Sequence, residues 1–351
     1  MIAPAGHSVG SGGSRAVLFV GRVLPAVTEL PERLADVADV DCTGVQTLVT
    51  GSTSGIGRAT ALALGRLGAD VIVHGRDSPA GADVVDELSA LGVEATFVEA
   101  DFASVPAVRK LAATVRAETD GLDVLVNNAG GLFRDGSVTD IGVEYTFHVN
   151  HLAPYLLTAE LLDHLREGAR VVTTASEAHR GSLLDLDRVT DVESYSGTRA
   201  YGRSKLANVL FASELARRLD AVGRDVTSNS LHPGAIPGSG FSRFLPGPLP
   251  RLVQALGVVP GVTSVADGAA AVLFVAVSPH TADVSGRYFA GQRQTAPSRP
   301  ARDTEAARRL WERSAALLDV DEPLAESDDH TEFDDHDESD DRIERNETYD
   351  G

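Results

Sequence analysis

The feature that most constrains the fold is an apolar run that passes directly into a glycine-rich turn. The run Gln46–Thr50 has the composition of a buried strand, and a helix pattern over Ile56–Leu67 follows it. The turn has the spacing G-x-x-x-G-x-G and consists of Gly51, Ser52, Thr53, Ser54, Gly55, Ile56 and Gly57. In such a unit the glycines let the backbone approach a phosphate, and the helix N-terminus offers free N–H groups. A glycine turn alone is a weak signal, but this context predicts a dinucleotide-binding site.

Short apolar runs alternate with helix-like segments through most of the chain. Six further runs are apolar on both faces, as buried parallel strands are: Val71–His74, Ala95–Glu99, Val124–Val126, Arg170–Thr174, Val226–Leu231 and Arg287–Phe289. Helical patterns cover Val105–Glu118, Ile141–Leu165, Arg199–Leu219, Ala266–Val277 and Thr304–Leu318. The alternation predicts an α/β fold, a single Rossmann-type doubly wound parallel sheet of about seven strands with helices on both faces.

Composition divides the chain into three regions. We expect residues 1–43 to be an N-terminal extension, partly disordered or amphipathic, residues 44–318 the Rossmann domain, and residues 319–351 a disordered tail. The formal net charge of the chain is -20, and the tail carries 16 acidic side chains against Arg342 and Arg345. A tail of this charge repels phosphates and argues against nucleic-acid binding.

No apolar stretch reaches the roughly 18–20 residues that a membrane span needs. Ala16–Val27 comes nearest, but it is short and contains Arg22, so we expect a surface helix or a disordered extension. The alternative is an interfacial helix that gives the protein a peripheral membrane contact. The single cysteine, Cys42, can form no internal disulfide. We therefore expect a cytoplasmic protein without a transmembrane span.

The end of the second predicted strand bears on the choice of dinucleotide. It reads His74-Gly75-Arg76-Asp77. An NAD site places an acid there to hold the ribose 2′-hydroxyl, whereas Gly75 followed by Arg76 suits a 2′-phosphate, which a guanidinium binds through two hydrogen bonds. Arg58, just past the glycine turn, can assist. The sequence favours NADP(H); the alternative is that Arg76 is merely solvated and Asp77 holds the ribose of NAD(H).

Two further strand ends supply candidate cofactor contacts. Asp101 follows the third strand, where a carboxylate can meet the adenine edge. The fourth strand ends at Asn127, followed by Asn128, Ala129 and Gly130, whose small residues leave room for a nucleotide. Either segment alone is also compatible with ordinary turn chemistry.

A tyrosine and a lysine lie four residues apart on one face of a predicted helix. They are Tyr201 and Lys205, and the chain has just one other lysine. A nearby ammonium stabilises phenolate and lowers the pKa of a tyrosine, which can then act as an acid or base nearer neutral pH. Ser176 ends the fifth strand, at the rim where open α/β sheets bind ligands, and its hydroxyl can bind a substrate oxygen. Such a pair occurs by chance, but its place after a cofactor turn predicts acid–base catalysis.

Taken in order, these motifs resemble the short-chain dehydrogenase/reductase family over about residues 43–318. The matching segments are Thr50–Gly57, Asn127–Gly130, Ser176, Tyr201–Lys205 and Pro233-Gly234. Further segments resemble the retinol dehydrogenase-like branch with its bacterial and archaeal relatives, namely Val149–Leu152, Ala175–His179, Ala200–Phe211, Gly286–Phe289 and Leu310-Trp311.

The resemblance implies an NADP(H)-dependent oxidoreductase that moves a hydride between the nicotinamide and an alcohol or carbonyl carbon. It implies that Tyr201 donates or accepts the proton, that Lys205 lowers the pKa of Tyr201 and holds the nicotinamide ribose, and that Ser176 orients the reacting oxygen. Asn150 resembles the helix asparagine that holds a water of the proton relay. The alternative for Asn150 is a helix-interior residue satisfied by backbone. Pro233-Gly234 corresponds to a further cofactor contact.

The segment after Pro233-Gly234 departs from the family pattern. Family members usually have a threonine a few residues after this pair that contacts the nicotinamide amide, and Ser239 stands near that position here. A second departure lies on the fifth strand, where Thr173 replaces the usual asparagine. The segment runs to about Thr263 and carries eight large apolar residues between Ile236 and Leu256. A lid of this kind predicts a hydrophobic alcohol, aldehyde or ketone substrate. The alternative is that these residues pack on each other or on a partner subunit, since family members often form dimers or tetramers.

Two other functions fit the same fold. One is a catalytically silent dinucleotide-binding scaffold or sensor. In such a protein we would expect the Tyr, Lys and Ser set to be damaged, but here all three residues are present. A nucleotide-sugar epimerase or dehydratase usually has another glycine spacing and a larger C-terminal domain. The histidines His148, His151, His179 and His232 lack a spacing typical of metal sites, so we expect core or surface roles and no bound metal.

Overall fold

A mostly parallel β-sheet forms the centre of the computed structural model, which describes residues 29–234 and 264–325. The order of the strands is β3-β2-β1-β4-β5-β6-β7-β8, and the pairs from β1 to β7 are parallel. Their bounds are β1 Gln46–Val49, β2 Asp70–Gly75, β3 Ala95–Glu99, β4 Leu122–Asn127, β5 Leu165–Thr174, β6 Val226–His232 and β7 Tyr288–Ala290. A short β8, Arg293–Gln294, pairs antiparallel with β7. The predicted doubly wound fold is confirmed, with one strand beyond the expected seven.

Helices cover both faces of the sheet. One face carries α1 Pro31–Leu34, α2 Gly55–Arg66, α3 Ser78–Ala90 and α8 Val265–Val277. The other carries α4 Val105–Glu118, α5 Tyr145–Phe147, α6 Ala153–Leu161, α7 Gly197–Ala221 and α9 Thr304–Leu318. None of the helices within residues 29–234 and 264–325 is long and apolar enough to cross a membrane.

The central strands supply apolar side chains to two separate cores, one under each helix layer. Alternate residues along a strand point to opposite faces. Leu48, Leu125 and Val171 pair across β1, β4 and β5 and belong to the core under α4, α6, α7 and α9. Their neighbours in sequence, Val49, Val126 and Val172, belong to the core under α2, α3 and α8. Burial on both faces explains the continuous apolar runs in the sequence.

The prediction of one continuous helix over Ile141–Leu165 is wrong. Helical structure begins at Tyr145, passes through a π-helical stretch over His148–Leu152, and gives way to a 3-10 turn and then to β5 at Leu165. The π turn inserts one extra residue into the helix, and the side chain of Asn150 there bonds to the distant backbone of Gly131. Hydrogen bonds of this kind depend on the tertiary structure, and π turns often mark functional sites.

Helix α3 was not anticipated from the sequence. Its first turn contains Pro79 and is capped by Asp77, whose carboxylate accepts a hydrogen bond from the amide of Ala80 at 3.1 Å. Gly81 interrupts the apolar pattern because a Cβ there would lie 2.3 Å from the ring of Phe97 on β3. The residues that obscure the helix pattern are therefore those that start the helix and let it approach the sheet.

Packing continues beyond both predicted domain boundaries. Ala35 and Cys42 are buried in the core on the α2 side, and Glu32 forms an ion pair with Arg66 at 2.6 Å. At the other end, the indole N–H of Trp311 donates to the carbonyl of Pro323 at 3.0 Å. The domain therefore includes at least parts of residues 29–43 and 319–325. The remainder of the predicted extension and tail, residues 1–28 and 326–351, lies outside the described residues.

Candidate active site

A cavity of about 1290 Å³ lies at the carboxyl ends of the parallel strands. It collects sixteen of the predicted site residues, namely Gly51, Thr53, Ser54, Gly55, Ile56, Gly57, Arg76, Asp101, Asn128, Ala129, Gly130, Ser176, Tyr201, Lys205, Pro233 and Gly234. Ser52 and Asn150 do not line it. The cavity spans the point where the strand order reverses between β1 and β4, which is where doubly wound sheets bind nucleotides.

The glycine turn forms a cradle that side chains would fill. Gly51 has a φ of +66°, and a Cβ there would lie 2.9 Å from the Cα of Ala129. A Cβ on Gly57 would lie 2.3 Å from the carbonyl oxygen of Gly51. At Gly55, where helix α2 begins, a Cβ would meet nothing within 4 Å, so the space in front of the helix N-terminus is open. These residues fit the pyrophosphate of a dinucleotide.

His74 supports the backbone of the glycine turn through a hydrogen bond, a role that sequence reasoning missed. Its Nδ1 accepts a hydrogen bond from the amide of Gly51 at 3.2 Å, and its Nε2 lies 3.1 Å from the carbonyl oxygen of Ala100. The ring also stacks on Phe102. Burial lowers the pKa of His74 to about 4, so the ring is neutral with its proton on Nε2. Ser52 has a related structural role, since its hydroxyl donates to the carbonyl of Val49 at 2.6 Å.

The end of β2 leaves little room for a side chain at position 75. A Cβ on Gly75 would lie 2.5 Å from Cγ2 and 3.3 Å from Cβ of Thr53. The next residue, Arg76, is 61% exposed, and its guanidinium donates to the phenol of Tyr145 at 3.2 Å. Asp101 lies 3.9 Å from the same guanidinium. This end of the cavity therefore presents a cation at the place where an NAD(H) site has an acid that binds the ribose 2′-hydroxyl.

Two candidate ribose contacts have other partners. Asp77 caps helix α3, which is the local reason for an acid after Arg76. Arg58 forms an ion pair with Glu87 on α3 and does not line the cavity. The expectation that Arg58 assists in binding a 2′-phosphate is therefore not supported by its position.

Helix α7 and the end of β5 bring Tyr201, Lys205 and Ser176 to one wall of the cavity. Tyr201 and Lys205 are one helical turn apart, and Ser176 caps the short turn that follows β5. The hydroxyls of Tyr201 and Ser176 interact, which favours the phenolate, but burial has the larger effect and raises the pKa of Tyr201. The expected lowering by Lys205 is not found. The reason is that the ammonium group lies 5.7 Å from the centre of the tyrosine ring and is directed elsewhere.

Lys205 is directed at the backbone of β5. Its Nζ donates to the carbonyl oxygen of Thr174 at 2.9 Å, and the side-chain amide of Asn208 donates to the same oxygen at 3.2 Å. Lys205 is 4% exposed, and burial lowers its pKa to about 8. Among the described residues no carboxylate forms an ion pair with Lys205, so burial acts on its charge without compensation.

Comparison with known proteins identifies the family. A model described as short chain dehydrogenase matches residues 46–243. The chain belongs to the short-chain dehydrogenase family. It is 39% identical to retinol dehydrogenase 13 of Homo sapiens over 80% of this chain and 86% of that protein. It is 39% identical to polyprenol dehydrogenase of Mus musculus over 75% of this chain and 81% of that protein. A short chain dehydrogenase from Burkholderia cenocepacia J2315, solved in complex with NADP, is 31% identical, has a TM-score of 0.57, and aligns with 71% of this chain and 96% of its own.

In this short-chain dehydrogenase, the side chain of Asn150 makes three hydrogen bonds within the protein. Its Oδ1 accepts from the amide of Gly131, and its Nδ2 donates to the carbonyl of Gly131 and to the hydroxyl of Ser204, each at 2.9 Å. The Ser204 hydroxyl donates to the carbonyl of Tyr201 at 2.8 Å. The amide of Asn150 therefore ties the loop after β4 to helix α7.

The dehydrogenase cavity also contains residues that the motifs did not single out. Glu177 and His232 line it beside Ser176, and Leu132 and Phe133 add apolar surface. The adjacency of Glu177 to Ser176 and of His232 to Pro233-Gly234 is the sequence signal that points to them. Ser239 and the predicted lid, residues 235–263, lie outside the described residues.

Proposed function

We propose that this protein transfers a hydride between NADP(H) and an alcohol or carbonyl carbon of a hydrophobic small molecule. The observation that carries the proposal is that Tyr201, Ser176 and Lys205 share one cavity with the glycine turn. Family membership supports oxidoreductase chemistry at such a cavity. The bound nicotinamide would supply or accept the hydride.

The side chains of the protein would handle the proton and the substrate oxygen. The Tyr201 hydroxyl would donate a proton to a carbonyl oxygen during reduction, or accept one from an alcohol during oxidation. The Ser176 hydroxyl, which interacts with that of Tyr201, would hold the same oxygen and stabilise the charge that develops on it. The buried ammonium of Lys205, which lines the same cavity, would bind ribose hydroxyls of the cofactor.

NADP(H) is supported over NAD(H) by the end of β2. Thr53 occupies the space that an acidic side chain at position 75 would need, and Arg76 offers a guanidinium to a 2′-phosphate. The related Burkholderia enzyme was solved with NADP. Gly51, Gly55 and Gly57 would hold the pyrophosphate, and Asp101 and Asn128–Gly130 line the cavity between its two ends.

The substrate class is supported by the apolar part of the cavity wall. Leu132, Phe133 and Ala178 line the cavity that contains Ser176. The related retinol and polyprenol dehydrogenases are named for apolar alcohols. An apolar wall around a polar reacting centre is typical of small-molecule sites.

The proposal is tested by binding and turnover of the purified full-length chain. NADPH and NADH are titrated separately by nicotinamide fluorescence, at low and at molar salt, and a panel of aldehydes and ketones is then screened with the tighter cofactor. We expect NADPH to bind at least about tenfold tighter and turnover to be abolished in Tyr201→Phe, which keeps NADPH binding. Binding without turnover of any carbonyl compound would favour a silent dinucleotide-binding scaffold. A protein that binds neither nucleotide is not an oxidoreductase of this kind.

A further inference from the structure

A polar cluster beside Ser176 has no part in the proposed chemistry. It consists of Glu177, His232 and Tyr288. The Nδ1 of His232 lies 2.6 Å from the phenol oxygen of Tyr288 and 3.3 Å from Oε2 of Glu177. Glu177 and His232 line the cavity, whereas Tyr288 is 2% exposed and lies behind them on β7. The cluster thus places an imidazole, with polar support, on the wall of the active site.

The contacts of the cluster define how the imidazole is protonated. Tyr288 stays protonated because burial raises its pKa, and its hydroxyl interacts with the Glu177 carboxylate, which can only accept. The phenol oxygen is then free to accept from Nδ1–H of His232. Burial lowers the pKa of His232, so the ring is neutral. A neutral ring with its proton on Nδ1 presents Nε2 as a hydrogen-bond acceptor.

Binding a purely apolar ligand against Nε2 of His232 would be unfavourable, because this acceptor would lose its water without gaining a hydrogen bond. A loss of this kind lowers the affinity for the ligand. Sites built to bond a substrate hydroxyl therefore discriminate strongly against analogues that lack it. The surrounding wall supplies apolar surface at Leu132 and Phe133, so the cavity combines one polar position with an apolar remainder.

We propose that His232 is a specificity-determining residue that accepts a hydrogen bond from a second hydroxyl of the substrate, near the carbon that is oxidised or reduced. Tyr288 and Glu177 are positioning residues for its ring. The substrate class is then hydroxylated ketones, or the corresponding diols, with an apolar body. This inference rests on the proposed function and narrows it.

The test uses three aryl ketones of similar size with NADPH: 1-phenyl-1-propanone and its 2-hydroxy and 3-hydroxy derivatives. We expect kcat/KM for at least one hydroxyketone to exceed that of the parent ketone by about tenfold or more. In His232→Phe, the loss of kcat/KM for that hydroxyketone should exceed the loss for the parent ketone at least tenfold. His232→Gln, whose amide retains an acceptor, should recover part of the preference.

Tyr288→Phe provides a milder variant that keeps the ring and removes the phenol oxygen. It should reduce the preference for the hydroxyketone without weakening NADPH binding.

The proposal is overturned if the wild-type protein turns over all three ketones equally well. It is also overturned if His232→Phe weakens NADPH binding or lowers all three kcat/KM values equally, because His232 would then support the cofactor or the fold. A wild-type protein that fails to bind NADPH rejects the proposed function itself, which is a distinguishable result.

Discussion

The imidazole of His179 bridges the turn that carries Ser176 to a distant loop. Its Nδ1 lies 2.7 Å from the carbonyl oxygen of Ser176, and its Nε2 accepts from the amide of Ser298 at 3.1 Å. The ring is fully buried, and burial lowers its pKa. His179 is therefore neutral, with its proton on Nδ1, and it fixes the backbone that carries Ser176.

Two replacements of His179 should separate these bonds. Asn places an amide near Nδ1 and preserves the bond to Ser176, whereas Gln places one near Nε2 and preserves the bond to Ser298. We expect His179→Gln to lower kcat more than His179→Asn, by about tenfold, since a displaced Ser176 loses its bond to the reacting oxygen. Steady-state kinetics and NADPH binding are measured for both. A larger loss of kcat in His179→Asn would contradict the assignment.

Replacing Arg76 should remove the preference for NADPH over NADH. Arg76→Asp removes the cation from the end of β2 and introduces repulsion toward a 2′-phosphate. We expect the affinity for NADPH to fall at least about tenfold while the affinity for NADH changes little, since a charge-assisted bidentate contact is lost. Arg58→Ala serves as the control, because Arg58 pairs with Glu87 outside the cavity. An Arg58 variant that weakens NADPH binding as strongly as the Arg76 variant would refute this assignment of the 2′-phosphate site.

Lys205 should make stability depend on pH in the alkaline range. Burial lowers its pKa to about 8 in the folded protein, against an ordinary value of 10.5 that the unfolded chain regains. Between these values the unfolded chain binds more protons, so stability rises with pH. Below pH 8 both states carry the charge and no slope is expected from this group.

Chemical unfolding at pH 7.5 and 10 measures this effect. Tyr201→Phe is compared with Tyr201→Phe/Lys205→Met, so that the tyrosine does not titrate. The lysine-containing protein should gain up to about 3 kcal/mol relative to the methionine variant between the two pH values. A difference that stays constant with pH would show that the ammonium is better solvated than its burial suggests.

Arg218 should contribute far more to stability than its neighbour Arg217. Its side chain is 2% exposed, pairs with Glu214 at 2.7 Å and Glu322 at 2.6 Å, and lies over the ring of Trp311. Arg218→Met leaves buried Glu214 with fewer partners and should cost about 3 kcal/mol. Arg217→Met removes a pair whose arginine is 41% exposed and should cost less than about 1 kcal/mol. The free energy of unfolding of both variants is measured by urea denaturation. Equal losses of stability in the two variants would contradict the burial argument.

Elements whose signal is local were predictable from the sequence. Helix α4 and strand β3 have the predicted bounds, because an apolar face or run of suitable length is delimited by polar residues and turns. The glycine turn was recognisable because its glycine spacing lies directly between an apolar strand pattern and a helix pattern. Family motifs then led to Ser176, Tyr201 and Lys205, which the fold brings to one cavity.

What the sequence could not provide depends on long-range partners. The π turn at His148–Leu152 is associated with the bonds of Asn150 to Gly131, nineteen residues earlier. The tautomers of His179 and His232 are set by Ser298 and Tyr288, more than fifty residues away in each case. The pKa of Tyr201 follows from burial, which opposes the effect that a nearby lysine suggests when only spacing is known.

The close approach of Thr53 to Gly75 restricts how the cofactor preference of this lineage can evolve. An acid that arrives first at position 75 would place its Cβ 2.5 Å from the Cγ2 of Thr53, so the side chain of Thr53 would have to rotate or shift. A smaller residue at position 53 would remove the contact with Cγ2, so the cost of an acid at position 75 depends on the residue at position 53. We therefore expect the two substitutions to be epistatic, so that an acid at position 75 is tolerated better in descendants whose residue 53 is already small.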